Sequence, residues 1–361
     1  MKKKGILDSY LLYTVIAILI GFAVGAIFLL IAGISPSVAY GKLVDSIFGK
    51  PKYIIWTLTY AAPLILTGLS VAFSFRTGVF NIGAEGQYIV GQVAAGLVGI
   101  MLHLPAAIEI PLCLIAAIAA GCLWSLIVGV MKVKRGIHEV LSFIMFNWIA
   151  FYLQNYFVNI PAIHKEGGGE ASKDVAESAR LLLSKDTLKA MGLNPKIFKD
   201  MNLGFFIAVA VAILIYIIIE KTTLGFKLKA VGFNKDAASF SGISANASVL
   251  IALGISGALA GLGGAVQLLG NTERLPQLAA QEGFGFDGIT VALIGGSSPI
   301  GCIFSGIFFG AMKFGGSKLT MVKAPSEVVN IIMGCVVIFI AITPVFRMIF
   351  QKMFRRNKEA A

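Results

Sequence analysis

The residue types best suited to chemistry cluster in residues 75–87, FRTGVFNIGAEGQ, which sets Arg76, Asn81, Glu85 and Gln87 among three glycines between two long apolar runs. A charged, glycine-broken junction between segments of membrane length is costly unless it lines a cavity or meets water. Asn81, Glu85 and Gln87 carry amides and a carboxylate that suit gating or solute recognition on a path through the membrane. The same side chains suit local capping of the helix that follows, whose first N–H groups lack intrahelical partners. A mid-bilayer Arg costs about 2.5–3.5 kcal/mol on the insertion scale. Arg76 therefore belongs either at an aqueous interface or in a wet cavity.

A second constellation lies in residues 139–159, EVLSFIMFNWIAFYLQNYFVN. Phe143, Asn147, Phe151, Gln154 and Asn155 follow helical spacing and share a face. Rings and amides together can stack on and hydrogen-bond a nucleobase. Interhelical amide contacts with aromatic packing explain the same pattern.

No bond-making chemistry is visible. GxxxxGK[ST] is absent, and FGGSK at residues 314–318 has the wrong order. There is no HExxH and no arguable Ser/His/Asp set. The four cysteines, Cys113, Cys122, Cys302 and Cys335, sit in apolar runs without a CxxC pair, and the three histidines lack ligand spacing. Neither a metal nor a cofactor is expected in this chain. Uphill transport would then need an ion gradient or a separate ATPase. Ion coupling calls on intramembrane carboxylates, but Glu85, Glu109, Glu139, Asp287 and Glu327 all fall near expected helix ends. An ATPase instead needs a firm loop to grip. Residues 222–245, TTLGFKLKAVGFNKDAASFSGISA, fit: Gly232 and Asn234 can turn the chain, residues 236–240 can form a short helix along the membrane, and Gly242 can end it. An ordinary basic loop has the same pattern.

These residues need helices to hold them. The chain has 361 residues, of which 57% are hydrophobic and 13% charged; soluble domains carry about 25% charged residues. Mean hydropathy is +0.87. The net charge of +12 comes from Lys and Arg in short loops, the pattern that orients membrane proteins. No basic helix or aromatic-basic platform points to nucleic acid.

Apolar runs predict helices at 10–34, 54–75, 84–102, 106–131, 139–159, 204–219, 247–269, a short one from 287, another ending at 314, and 327–350. This makes an all-α polytopic membrane protein of about ten crossings, a single permease domain over residues 1–361. The MKKK start precedes a run too long for a signal peptide, so it is expected to be retained. A polar loop with Lys42, Asp45, Lys50 and Lys52 follows the first helix, and Pro63 should kink or break the second. Gly257 and Gly261 form a GxxxG pair for close helix contact. The long polar insertion, 161–203, contains DVAESARLLLSKDTLKAM, spaced like a surface helix. The basic segments place both termini and residues 220–246 in the cytoplasm and the insertion outside. FNIGAEGQ and FGFDGITVALIGGSSPIG hint at an internal repeat that starts a helix with Glu85 or Asp287 in each half; paired broken segments point to a transport site.

Three stretches carry a family resemblance: PLILTGLSVAFSFRTGVFNIGAEGQ (63–87), LGFKLKAVGFNKDAASFSGI (224–243) and GFGFDGITVALIGGSSPIG (283–301). With these, nearly the whole chain resembles permease subunits of bacterial ATP-binding-cassette (ABC) importers of the ribose and branched-chain amino acid class. Within that class it is most similar to the larger permease of purine-nucleoside, basic-membrane-protein-type systems. The resemblance implies a type II importer permease that binds no ATP itself. It also implies ABC ATPase subunits, a second permease, most simply a heterodimer partner, and an extracytoplasmic substrate-binding lipoprotein. The middle stretch corresponds to the coupling helix that seats in the ATPase, which carries over to Asn234, Lys235, Asp236, Ala237 and Ala238. The insertion is then a docking surface for the binding protein or a stabilising lid. The competing readings are an ABC permease for a sugar such as ribose, an ion-coupled secondary transporter and a membrane scaffold.

Overall fold

The computed structural model describes residues 10–342 except 168, 191, 193 and 326. Among them the chain runs through α1 (Tyr10–Ile31), α2 (Pro36–Phe48), α3 (Pro51–Arg76), α4 (Ala84–Met101), α5 (Ala106–Arg135), α6 (Glu139–Val158), α7 (Lys185–Ala190), α8 (Pro195–Phe198), α9 (Gly204–Lys221), α10 (Thr223–Phe233), α11 (Lys235–Phe240), α12 (Ala245–Gln267), α13 (Phe284–Ile294), α14 (Pro299–Ser317) and α15 (Glu327–Ala341). No β-strand is present among the described residues; three isolated bridges are. The MKKK start, the expected continuation of the last helix to 350 and the basic tail lie outside the described residues.

The all-α class holds, with fewer full-length spans among the described residues than the ten helices expected. Six described helices are long and apolar enough to span a bilayer unaided: α1, α3, α5, α9, α12 with its extension to Thr272, and α14. α13, at 11 residues, reaches only about 16 Å at 1.5 Å per residue and cannot cross alone. Two further local expectations are corrected. The polar loop after the first helix is α2, whose Ala39, Leu43 and Ile47 make a buried stripe at i, i+4, i+8. α3 runs unbroken through Pro63, and the Pro63 carbonyl accepts a hydrogen bond from Thr67 Oγ1 at 3.0 Å.

The contacts divide the chain into two compact units, residues 1–50 with 312–361, and residues 51–311. In the first, α1 packs on α15 through its glycines. A Cβ at Gly21 would lie 2.4 Å from Val336 Cγ2, and one at Gly25 2.3 Å from Ile332 Cγ1. Tyr40 on α2 donates to the Phe22 carbonyl of α1 at 2.6 Å.

The second unit is built around α12, against which α3, α4 and α5 pack. Small residues let backbones touch where lipid gives helices no hydrophobic reason to associate. A Cβ on Gly257 would lie 2.3 Å from the Gly121 carbonyl, and one on Gly261 2.3 Å from the Ala117 carbonyl, so the GxxxG pair seats α5.

The 161–203 insertion contains no surface helix of the expected length; among its described residues the longest helix is α7, of six residues. The apolar side chains read as one helical face are used differently. Val175, Ala179, Leu181 and Leu188 are buried, and the chain is a strap whose backbone pairs with the segment after α12. Val175 N donates to the Glu273 carbonyl, Ser172 N to Leu275 and Leu181 N to Leu269, all at 2.8–2.9 Å. Arg180 pairs with Glu273 at 2.9 Å. Buried Glu109, in the first turn of α5, accepts from Ser178 Oγ at 2.5 Å and fastens the strap to the bundle.

Candidate functional site

The short helix α13 and the polar junction before α4 meet inside the bundle, held by α3 and α6. Asn147, near the middle of α6, accepts from Gly86 N at 2.8 Å and donates to the Ile82 carbonyl at 3.1 Å. Thr67, deep in α3, donates to the Phe284 carbonyl at 3.0 Å. α4 and α13 therefore begin at the same depth, one from each half of the chain, N-terminus to N-terminus.

Glu85 sits between them with no exposed surface. Its Oε1 accepts from Gly283 N at 2.7 Å and its Oε2 from Gly285 N at 2.6 Å. The carboxylate stands in the first turn of α4 yet caps α13, 198 residues away along the chain. Both helix dipoles point their positive ends at it, and both of its oxygens are charge-assisted acceptors. That combination is what allows an ionised group to be held away from water. Gly285 permits the approach, since a Cβ there would lie 2.2 Å from Glu85 N. Asp287, the other expected helix-start acid, lies in the first turn of α13 and is partly exposed.

A buried polar cluster adjoins this point. Asn81 and Gln87 join their amides reciprocally, Nδ2 to Oε1 at 2.9 Å and Nε2 to Oδ1 at 3.0 Å. Asn81 also donates to Ser256 Oγ at 2.6 Å and accepts from Gly83 N at 3.0 Å. Ser256 in turn donates to the Ser70 carbonyl at 2.7 Å. The cluster ties α3, α4 and α12 into one block. On its other side, Tyr88 stacks on Phe284 with ring centroids 5.5 Å apart and donates to Glu282 Oε2 at 2.8 Å.

The α6 face is assembled largely as spaced. Phe143, Asn147, Phe151 and Gln154 are buried together and Asn155 is half-buried. Most of their polar groups bond backbone, the exception being Gln154 Oε1, which has no partner. Gln154 Nε2 donates to the Pro276 carbonyl at 3.0 Å; Asn155 donates to the Leu278 carbonyl and accepts from Leu278 N, at 3.0 and 2.7 Å. The Phe143 ring covers Gly83, where a Cβ would lie 2.1 Å from it. α6 thus holds the two irregular segments that lead into α4 and α13.

At the basic end of this unit, the Arg76 side chain reaches two other segments. Nε donates to the Ser297 carbonyl between α13 and α14 at 3.0 Å, and Nη1 pairs with Glu220 at 3.1 Å. Lys229 on α10 completes the group by pairing with Glu220 at 2.8 Å. The interface alternative for Arg76 is the one this partly exposed arrangement resembles.

The elbow of residues 220–246 differs in detail from the expectation. Gly232 makes no turn; it lies inside α10, where a Cβ would meet the Arg76 carbonyl at 2.4 Å. Asn234 makes the break, and its side chain caps α11 by accepting from Ala237 N at 3.0 Å. Gly242, at φ +79°, follows α11 in the left-handed region that favours glycine. Asn234, Lys235, Asp236 and Ala237 are exposed, whereas Ala238 is buried and faces its own chain. Phe233 and Phe240 are 90% and 93% exposed. Sequence reasoning passed over these two rings, although aromatic residues in a basic loop are a readable signal. It also missed Glu282, Ser70 and Ser256, whose partners are remote in sequence.

Residues 53–341 match the family described as branched-chain amino acid transport system / permease component. The chain is 39% identical to the guanosine ABC transporter permease protein NupP of Bacillus subtilis, over 97% of this chain and 98% of that one. It is 32% identical to the nucleoside ABC transporter permease protein NupB of Lactococcus lactis, over 94% and 93%. It is also 32% identical to the glucose ABC transporter permease protein TsgB13 of Haloferax volcanii, over 92% and 87%. No solved structure matches it.

Proposed function

The chain belongs to the family of branched-chain amino acid transport system permease components, and from that premise we propose that it passes nucleosides through the membrane. It is a multi-pass permease subunit of an ABC transporter, a transport component rather than an enzyme. ATP is hydrolysed on separate ATPase chains, a second permease completes the pathway, and a binding lipoprotein delivers the solute from outside. Both termini and the 220–246 elbow face the cytoplasm. The relative matched at 39% identity is named for guanosine, which favours a nucleoside over a sugar.

One observation carries the mechanism: α4, of 18 residues, and the short α13, of 11, begin face to face around a single buried carboxylate. Helix N-termini that meet inside a membrane domain make a polar locus that can be opened by moving one of them, here the short α13. Asn81, Glu85 and Gln87 form its gate, and the α6 amides hold its walls. The elbow supplies the motion. Its exposed Phe233 ends α10 and its exposed Phe240 ends α11, a pairing suited to a protein cleft, and the Arg76–Glu220–Lys229 group links α10 to the α13–α14 turn.

The test is uptake of labelled guanosine into membrane vesicles holding this chain with its partner chains. ATP-dependent accumulation is expected, and none from the chain reconstituted alone. Accumulation by the isolated chain on an ion gradient would make it a secondary transporter and end this reading. Vesicles that take up glucose or ribose and not guanosine would replace the substrate only.

A further inference from the structure

We propose that the stripe of α4 carrying Glu85, Tyr88 and Gln92 reads the solute, with Gln92 hydrogen-bonding the edge of its base. The inference rests on the nucleoside reading above and assigns the chemistry of recognition at that site. Gln92 has no exposed surface, and neither its Nε2 nor its Oε1 has a hydrogen-bond partner. Buried polar atoms in native structures are nearly always paired, and an amide left with both donor and acceptor unmet calls for an explanation. A leucine would fill similar space without that cost.

Its position supplies the explanation. Gln92 follows Tyr88 by four residues and Glu85 by seven, so the three stand on one stripe of the helix. From Glu85 to Gln92 the rise is about 10 Å, close to the length of a nucleoside. Each group matches one part of such a molecule. The Glu85 oxygens, which now take two backbone N–H groups, can take the two O–H donors of a ribose diol in the same one-donor-per-oxygen pattern. Tyr88, already stacked on the Phe284 ring, offers a flat apolar face to a base. The Gln92 amide sets a carbonyl acceptor beside an NH2 donor group, the complement of the N1–H and O6 pair of guanine. When α13 withdraws, Glu85 loses its two glycine N–H partners and Tyr88 loses Phe284. The incoming solute restores both contacts and supplies the partner that Gln92 lacks.

The experiment compares uptake of guanosine with uptake of purine riboside, which has the same sugar but no O6 or N1–H. Both are measured in vesicles carrying the whole transporter with Gln92 or Gln92→Leu, and the thermal unfolding of each purified chain is followed alongside. Gln92→Leu should lower the guanosine-to-purine-riboside ratio by about tenfold, the scale on which a site built for a polar group discriminates at least this strongly, and should leave Tm equal or higher. An unchanged ratio, or equal loss of both solutes, overturns the assignment. If Gln92→Leu fails to fold, Gln92→Met decides by the same ratio. A wild-type transporter that takes up guanosine while the ratio ignores Gln92 defeats this inference alone. One that takes up no nucleoside defeats the parent reading as well.

Discussion

Replacing Glu85 with glutamine changes one atom's identity and almost no volume, so its effect can be worked from the hydrogen bonds. The carboxylate accepts from Gly283 N at 2.7 Å and Gly285 N at 2.6 Å, fully out of solvent. An amide keeps one acceptor and turns an NH2 group against the other N–H. The lost charge-assisted bond accounts for about 1.5–3 kcal/mol, and the stranded backbone donor for about 1–3 kcal/mol. Two helix dipoles also lose their anion, at about 0.3–1 kcal/mol each. Relief from holding a charge away from water offsets part of this, leaving a net loss of about 2–4 kcal/mol. The assay is denaturant unfolding in detergent micelles followed by tryptophan fluorescence. Trp56, Trp124 and Trp148 all lie in the 51–311 unit, so the signal reports the unit that contains the carboxylate. Glu85→Asp is the companion: it keeps the charge but is shorter by one methylene, about 1.5 Å of reach, and should also lose stability. If Glu85→Gln unfolds within about 0.5 kcal/mol of the parent, the carboxylate does not hold both N–H groups and the convergent-helix account is wrong.

Gly285→Ala attacks the same junction from the other side. Its Cβ would sit 2.2 Å from Glu85 N, so a loss of about 1–3 kcal/mol from overpacking is expected. Combined with Glu85→Gln, the two losses should fall short of their sum; additivity within about 0.5 kcal/mol would place them in separate interactions. Arg76→Gln removes a partly exposed ion pair of about 0–1 kcal/mol, so unfolding should barely move while ATP-driven uptake drops several-fold; undiminished uptake would dismiss the proposed link to the α13–α14 turn. Phe233→Ser with Phe240→Ser removes two rings that touch little of their own chain. The variant should insert and fold normally but fail to co-purify with the ATPase, and intact co-purification would move the docking surface elsewhere. Ala238→Arg is a poorer probe, because buried Ala238 would report local disruption as much as docking.

Much of this protein is legible along the chain because membrane helices obey a one-dimensional constraint. A run of apolar residues must satisfy its own backbone by local hydrogen bonds, so α4, α6, α9 and α12 begin within about two residues of where hydropathy places them. The break at Asn234 and the short helix after it are similarly local. Even α2 had left its mark in Ala39, Leu43 and Ile47, hidden under four charged neighbours. What the chain could not disclose by itself is which remote groups close each polar account. Glu85 is legible as a first-turn acid, but its two acceptor oxygens serve a helix from the other half of the sequence. Gly232 looks like a turn and is instead a gap that admits the Arg76 carbonyl. The insertion has helical spacing, yet its backbone finds better partners in residues 269–275, along which it lies as a strap. Local hydrogen bonding set the helices; the need to pair every buried polar group across distant segments set the site, and only the tertiary structure supplies those partners.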